Sequence, residues 1–153
     1  MTTKNRRIMK KMLLSAFAIA ALAVTPTMAE DVAITAQRLP KEAQKFLSVH
    51  YPQNKVLSAM HDRDFADNDY TVYLEDGTKI EFDGSGKWES VRNHNGKIPT
   101  GVVPAEIQNY IAKHYPSQSV EKIERKRYGY EVELTNDLDM KFSSNGAFLG
   151  LDD

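Results

Sequence analysis

A fourteen-residue stretch occurs twice in this chain and constrains what the rest can become. Residues 39–52 read LPKEAQKFLSVHYP and residues 103–116 read VPAEIQNYIAKHYP. Pro40, Glu42, Phe46, His50, Tyr51 and Pro52 find Pro104, Glu106, Tyr110, His114, Tyr115 and Pro116 at 64 positions' distance. A similar train of short apolar runs follows each copy, so the sequence reads as a tandem duplication of one supersecondary unit.

Each unit opens on a helix. Ala43, Phe46, Leu47 and His50 fall at i, i+3, i+4 and i+7, one face of a 3.6-residue period, and Ile107, Tyr110, Ile111 and His114 repeat that face. Pro40 suits the first helical position, where no N–H is needed, and Glu42 favours the positive end of the helix dipole. Pro52 and Pro116 end the two helices. Four strands follow each helix. The first covers Val56 to His61, matched by Val120 to Arg125. In the second, Tyr70, Val72 and Leu74 alternate with polar positions, as do Tyr130, Val132 and Leu134. Asp76-Gly77 and Asn136-Asp137 are hairpin turns into a third strand with Ile80 and Phe82, or Met140 and Phe142. A fourth strand carries Trp88 and Val91, or Phe148 and Leu151, and Trp88 and Phe148 are both assigned to the core. The offset between copies drops from 64 to 60 after the first strand, which places a four-residue insertion within Asp64 to Asp69 of the first copy.

The fold class expected is therefore α+β, two tandem repeats, each one helix packed on a four-stranded antiparallel meander sheet. Alternation makes one sheet face apolar and leaves the other polar. Edge-to-edge union of the two sheets into one continuous eight-stranded sheet is the hypothesis for the whole chain. The boundaries are 39–91 for the first repeat and 103–153 for the second. Residues 92–102, with Asn93, Asn95, Gly96, Pro99 and Gly101, read as an exposed linker, and residues 30–38 as a flexible lead.

The first 29 residues have a secretory signal pattern. Lys4, Arg6, Arg7, Lys10 and Lys11 precede a 13-residue apolar run, Met12 to Val24, and Thr27-Met28-Ala29 supplies an A-x-A-like cleavage site. That run is too short for a bilayer of about 20 helical residues, so the expected product is exported, soluble and without a stable membrane anchor after cleavage near Ala29. Removing the leader leaves 15 of the 20 basic residues against all 21 acidic ones, a net charge of −6. An acidic surface disfavours nucleic acid, whose binding rests on neutralising phosphates. There is no Cys, so burial alone must hold the fold.

A helix ending in His-Tyr-Pro, then Tyr70-Thr71-Val72 or Tyr130-Glu131-Val132, then Ile80–Phe82 or Met140–Phe142 and a glycine turn before an aromatic, resembles the PepSY-like family of exported bacterial proteins. The resemblance covers nearly all of Leu39 to Leu151. It implies a fold like that of beta-lactamase-inhibitor proteins and a role in binding or restraining other exported proteins. Its motif consists largely of core positions, so it speaks for architecture more than for activity.

The chemistry-bearing patterns fail on their own requirements. His50 and His114 sit at equivalent helix ends because the unit is duplicated, and neither they nor His61 and His94 have zinc-ligand spacing. Ser119-Val120-Glu121-Lys122 fits S-x-x-K in letters only, because Val120 opens a strand and the companion elements are lacking. Counting a calcium loop from Asp62 puts Asp67 where Gly is needed and Tyr73 where Glu is needed. Asp83-Gly84-Ser85-Gly86-Lys87 lacks the lysine spacing and the following helix of a phosphate loop. No catalytic residue, metal ligand or cofactor is assigned.

What remains is the solvated sheet face and the turns beside it. Thr71, Tyr73, Lys79 and Glu81 point outward on the first copy, Phe65 is an aromatic in the insertion, and Arg127 and Tyr128 form a basic-aromatic hairpin in the second. These seven are the candidate partner-binding residues, since amphipathic aromatics amid charges are what interfaces favour. The expected function is a non-enzymatic exported module that binds, and restrains or inhibits, a periplasmic or extracellular protein. The alternative is a carrier or sensor of a small ligand or cation.

Overall fold

The computed structural model describes residues 31–63 and 68–152. The predicted leader, with its cleavage site at Ala29, lies outside them. Two helices, α1 (Lys41–His50) and α2 (Ala105–His114), accompany nine strands: β1 (Val32–Ile34), β2 (Val56–His61), β3 (Tyr70–Leu74), β4 (Lys79–Phe82), β5 (Trp88–Arg92), β6 (Val120–Lys126), β7 (Gly129–Leu134), β8 (Asp139–Ser143) and β9 (Phe148–Leu151). The strands form one antiparallel meander in strictly sequential order from β1 to β9. The architecture is α+β with a single nine-stranded sheet.

The two helices start alike. Pro40 and Pro104 are N-caps, so each helix starts one residue later than the expected first helical position at the proline. Behind each, a glutamine side chain reaches back to the incoming chain. Gln44 Nε2 donates to the Leu39 carbonyl at 2.7 Å, and Gln108 Nε2 to the Val103 carbonyl at 2.6 Å. At the other end the Tyr51 and Tyr115 amides donate to the Leu47 and Ile111 carbonyls at 2.8 and 2.7 Å. The prolines that follow block a further turn.

Strand register shows that the helices share one face. Ile34, Ala59, Val72, Ile80, Val91, Ile123, Val132, Met140 and Leu151 stand opposite one another in an unbroken row across all nine strands. Directly opposed residues lie on the same side of an antiparallel sheet, so the apolar side of β2–β5 continues into that of β6–β9. Phe46 of α1 meets Phe82 edge-on at 5.6 Å, and Tyr110 of α2 meets Phe142 at 5.5 Å. Phe82, Phe142, Ile80, Ile107, Ile123 and Leu134 are fully buried between helices and sheet.

Three expectations change. Residues 30–38, read as a flexible lead, supply β1 and a 3-10 turn at Ala36–Arg38 within the described part. A run of three apolar residues has too little signal alone; its pairing with β2 through Ile34 opposite Ala59 makes it a strand, and the sheet gains a ninth member. The connector 92–102, read as an exposed linker, faces solvent in its middle but is pinned at both ends. Asn93 is buried and donates from Nδ2 to Thr78 Oγ1 at 2.9 Å, while Val102 is buried at the other end. Finally, Trp88 is core at 7 % exposure, but Phe148 is 37 % exposed because it lies on the last strand.

Candidate functional site

The face turned away from the helices is a charged surface with its own two rows. One runs Ser58, Tyr73, Lys79, Arg92, Lys122, Glu133, Asp139, and the other Met60, Thr71, Glu81, Ser90, Glu124, Glu131, Lys141, Gly150. Alternation places these side chains outward because their neighbours are held by the core.

Over β5–β8 opposite charges tie this face together. Arg92 reaches Glu133 at 2.6 Å and Glu121 at 3.8 Å, and Glu121 also meets His94 Nδ1 at 2.6 Å. Lys126 sits between Glu124 at 3.1 Å and Glu131 at 3.0 Å, and Lys122 lies 2.5 Å from Glu124. Partial burial pushes the Glu124 carboxyl up, but hydrogen bonds from Lys122 and Lys126 overcome it and leave its pKa below the usual value. The bond to Glu131 raises Lys126.

Over β1–β5 the same face is concave. A groove of about 400 Å3 is lined by Asp31, Met60, Asp62, Asp69, Thr71, Tyr73, Lys79, Glu81 and Glu89. Five of those nine side chains are carboxylates, and one is an ammonium. Lys79 donates to Glu81 at 2.5 Å, and that bond raises the lysine above its ordinary pKa. Tyr73 stands 40 % exposed beside this pair. Sixty residues further along the chain, Glu133 lies on the same face and is engaged by Arg92, whereas Tyr73 presents an amphipathic ring. Asp62 and Asp69, at the two ends of the β2–β3 loop, form one wall. The loop's ends are joined where the Asp62 amide donates to the Asp69 carbonyl at 2.9 Å, and His61 stacks on Tyr70 with ring centroids 4.3 Å apart. His61 Nε2 lies 2.6 Å from Asn68 Oδ1.

The structure thus brings four of the seven sequence candidates, Thr71, Tyr73, Lys79 and Glu81, into one groove. Phe65 lies outside the described residues, as do Asp64 and Asp67. Arg127 and Tyr128 form the exposed β6–β7 turn, and the Tyr128 hydroxyl donates to Glu131 at 2.6 Å. Partial burial and that carboxylate both raise the phenol pKa. β7 is four strand positions from β3, or about 19 Å at the usual spacing, so this hairpin is a separate feature. Sequence reasoning missed Asp31 and Met60 as groove residues, because Asp31 enters only through β1. Among the described residues no three His, Asp or Glu side chains converge closely enough to hold a metal ion. His50 and His114 each lie against an aromatic of their own helix, Phe46 at 4.6 Å and Tyr110 at 4.4 Å.

Residues 68–150 match the model of a family described as "Putative beta-lactamase-inhibitor-like, PepSY-like". Three solved structures are similar over nearly their whole length. A protein of Bacteroides thetaiotaomicron, described as a "putative calcium-regulated periplasmic protein", is 36 % identical with a TM-score of 0.76, covering 80 % of this chain and 97 % of its own. A periplasmic DUF2874-family protein of Bacteroides vulgatus ATCC 8482 is 37 % identical with a TM-score of 0.74, covering 81 % and 98 %. A second Bacteroides vulgatus periplasmic protein, described as of unknown function, is 33 % identical with a TM-score of 0.75, covering 81 % and 100 %. Comparison with the curated proteins yields no match. No helix among the described residues is long and apolar enough to cross a membrane.

Proposed function

This chain belongs to the PepSY-like family, and from that premise we propose that it is an exported, non-enzymatic module that docks another periplasmic protein on the outer face of its sheet. The observation that carries the proposal is the groove over β1–β5, where Tyr73 stands half-exposed among five carboxylates and Lys79 on the face turned away from α1 and α2. A tyrosine ring supplies contact area at little conformational cost, and a charged surround gives orientation and selects against wrong partners. The periplasmic description of its structural relatives supports the compartment, and the inhibitor-like description of the family supports restraint of an enzyme as the sharper form. The duplicated helix and strand pattern is assigned to scaffold. Capture from a periplasmic extract should recover a defined partner, and Tyr73→Ala should weaken that binding about tenfold or more. Undiminished binding by the variant removes Tyr73 from the interface.

A second use of the same groove is favoured by its charge. Asp31, Asp62, Asp69, Glu81 and Glu89 line it, Asp64 and Asp67 belong to the same loop in sequence, and one relative is described as calcium-regulated. Calcium takes six to eight oxygen ligands, so the ion would be held by this wall of the groove rather than by any three side chains already in place. Millimolar CaCl2 should then raise the melting temperature by several degrees while MgCl2 does so less. A melting temperature that does not move removes this reading and leaves the docking one standing.

A further inference from the structure

The two edges of the sheet are not equivalent. β1 lies against β2 as β5 lies against β6. Ile34 opposes Ala59 where Val91 opposes Ile123, and Ala33 opposes Met60 where Ser90 opposes Glu124. β1 therefore supplies the first helix-and-meander unit with the neighbour that β5 supplies to the second. At the far edge β9 holds the place of β5, with Phe148 for Trp88, Gly150 for Ser90 and Leu151 for Val91. Among the described residues no strand lies beyond it. The exposures register the difference: Trp88 and Val91 are 7 % and 0 % exposed, Phe148 and Leu151 37 % and 50 %.

The backbone is oriented to match. The Asp152 amide donates to the Asp139 carbonyl at 3.0 Å. Antiparallel alternation then turns the Leu151 N–H and C=O away from β8, as Val91 presents its own toward Ile123. An edge of this kind is a template for another strand. The β5–β6 junction shows what such a strand carries. Lys122 stands opposite Arg92, Ile123 opposite Val91, and the Arg125 guanidinium lies 4.2 Å over the Trp88 ring. At β9 the position of Arg92 is taken by Asp152, whose carboxylate lies 2.5 Å from Lys141 Nζ, so the incoming residue there meets a lysine–carboxylate pair instead of a guanidinium. An apolar residue would cover Leu151, and a cation would lie on the Phe148 ring, which is stacked at 4.6 Å on Tyr110. Residues 30–153 carry a net charge of −6, which favours a cationic strand. It also disfavours a second copy, which would bring the same net negative charge against itself.

We propose that β9 is a docking edge for an extended cationic segment of a partner protein, added antiparallel, with the order basic–apolar–any–basic seen in Lys122-Ile123-Glu124-Arg125. The surface is separate from the outer-face groove, and its occupancy does not depend on Tyr73.

The probe is a fluorescein-labelled peptide of residues 119–127, SVEKIERKR, titrated by anisotropy against the full chain. Saturable binding is expected. Leu151→Pro, which removes the outward N–H, and Leu151→Lys, which opposes the cationic strand, should each weaken it about tenfold or more. Tyr73→Ala should leave it unchanged, and the peptide with Lys122→Glu and Arg125→Glu should not bind. Should the proline variant fold poorly by circular dichroism, Leu151→Lys and a probe N-methylated at Ile123 give the same answer. Failure to saturate, binding indifferent to both Leu151 variants, or a dimer in sedimentation that Leu151→Lys dissolves would each overturn the proposal, the last by giving the edge to a second copy.

Discussion

Phe142→Ala is expected to lower the unfolding free energy by about 3–5 kcal/mol. Phe142 is fully buried at the point where α2 meets the sheet. Its ring meets Tyr110 edge-on at 5.5 Å and Phe148 at 5.7 Å. Truncation removes the transfer energy of the ring and leaves a cavity that the helix and two strands cannot close without losing Ile107 and Leu134 from their places. A domain of this size holds about 5–15 kcal/mol in total, so the urea midpoint should fall steeply with little change in slope. Phe148→Ala is the control. That ring is already 37 % exposed, and its loss should cost about 1 kcal/mol. Equal midpoints for the two variants would mean that the α2 side of the core is not packed as described.

Gly129→Val should be nearly as damaging for a different reason. Gly129 opens β7 opposite Ser143 with φ of +150°. A Cβ there would stand 2.2 Å from the Phe142 carbonyl oxygen and 2.3 Å from the Ser143 carbonyl carbon. Both are backbone atoms of β8, so relief requires the strands to part rather than a side chain to swing. The expected loss is about 3 kcal/mol, read as a lowered thermal midpoint. Gly77→Asn is the matching control: it also has positive φ, but nothing lies within 4 Å of the added carbon, and asparagine tolerates that backbone region. It should cost under about 1 kcal/mol.

Much of this arrangement was legible in the residues because each signal occurs twice. One weak helix, Ala43-Phe46-Leu47, gains force when Ile107-Tyr110-Ile111 repeats it at the same distance from His-Tyr-Pro. The alternation Tyr70-Val72-Leu74 likewise selected the outward set that includes Tyr73, Lys79 and Glu81. What escaped was set by pairing rather than by pattern. Val32-Ala33-Ile34 is too short to announce a strand, and only the register against Ala59 to His61 makes it one. Asp31 therefore enters the groove without warning. Arg127 and Tyr128 share a chemistry with Tyr73 but not a location, because strand count separates them. Phe148 and Trp88 align in sequence, yet one is covered by a following strand and the other is not, a distinction that lies in neighbours and not in the residue itself.

The strictly sequential strand order also has a kinetic consequence. Each strand pairs only with its neighbours along the chain, and the β1–β2 and β5–β6 pairings each close over a helix. Contacts are mostly local, which lowers the entropy lost before they form and favours fast folding. A chain that emerges N-terminus first, from a ribosome or through a translocation pore, then never has to wait for a distant partner. By the time each new strand appears, the edge it will join is already in place.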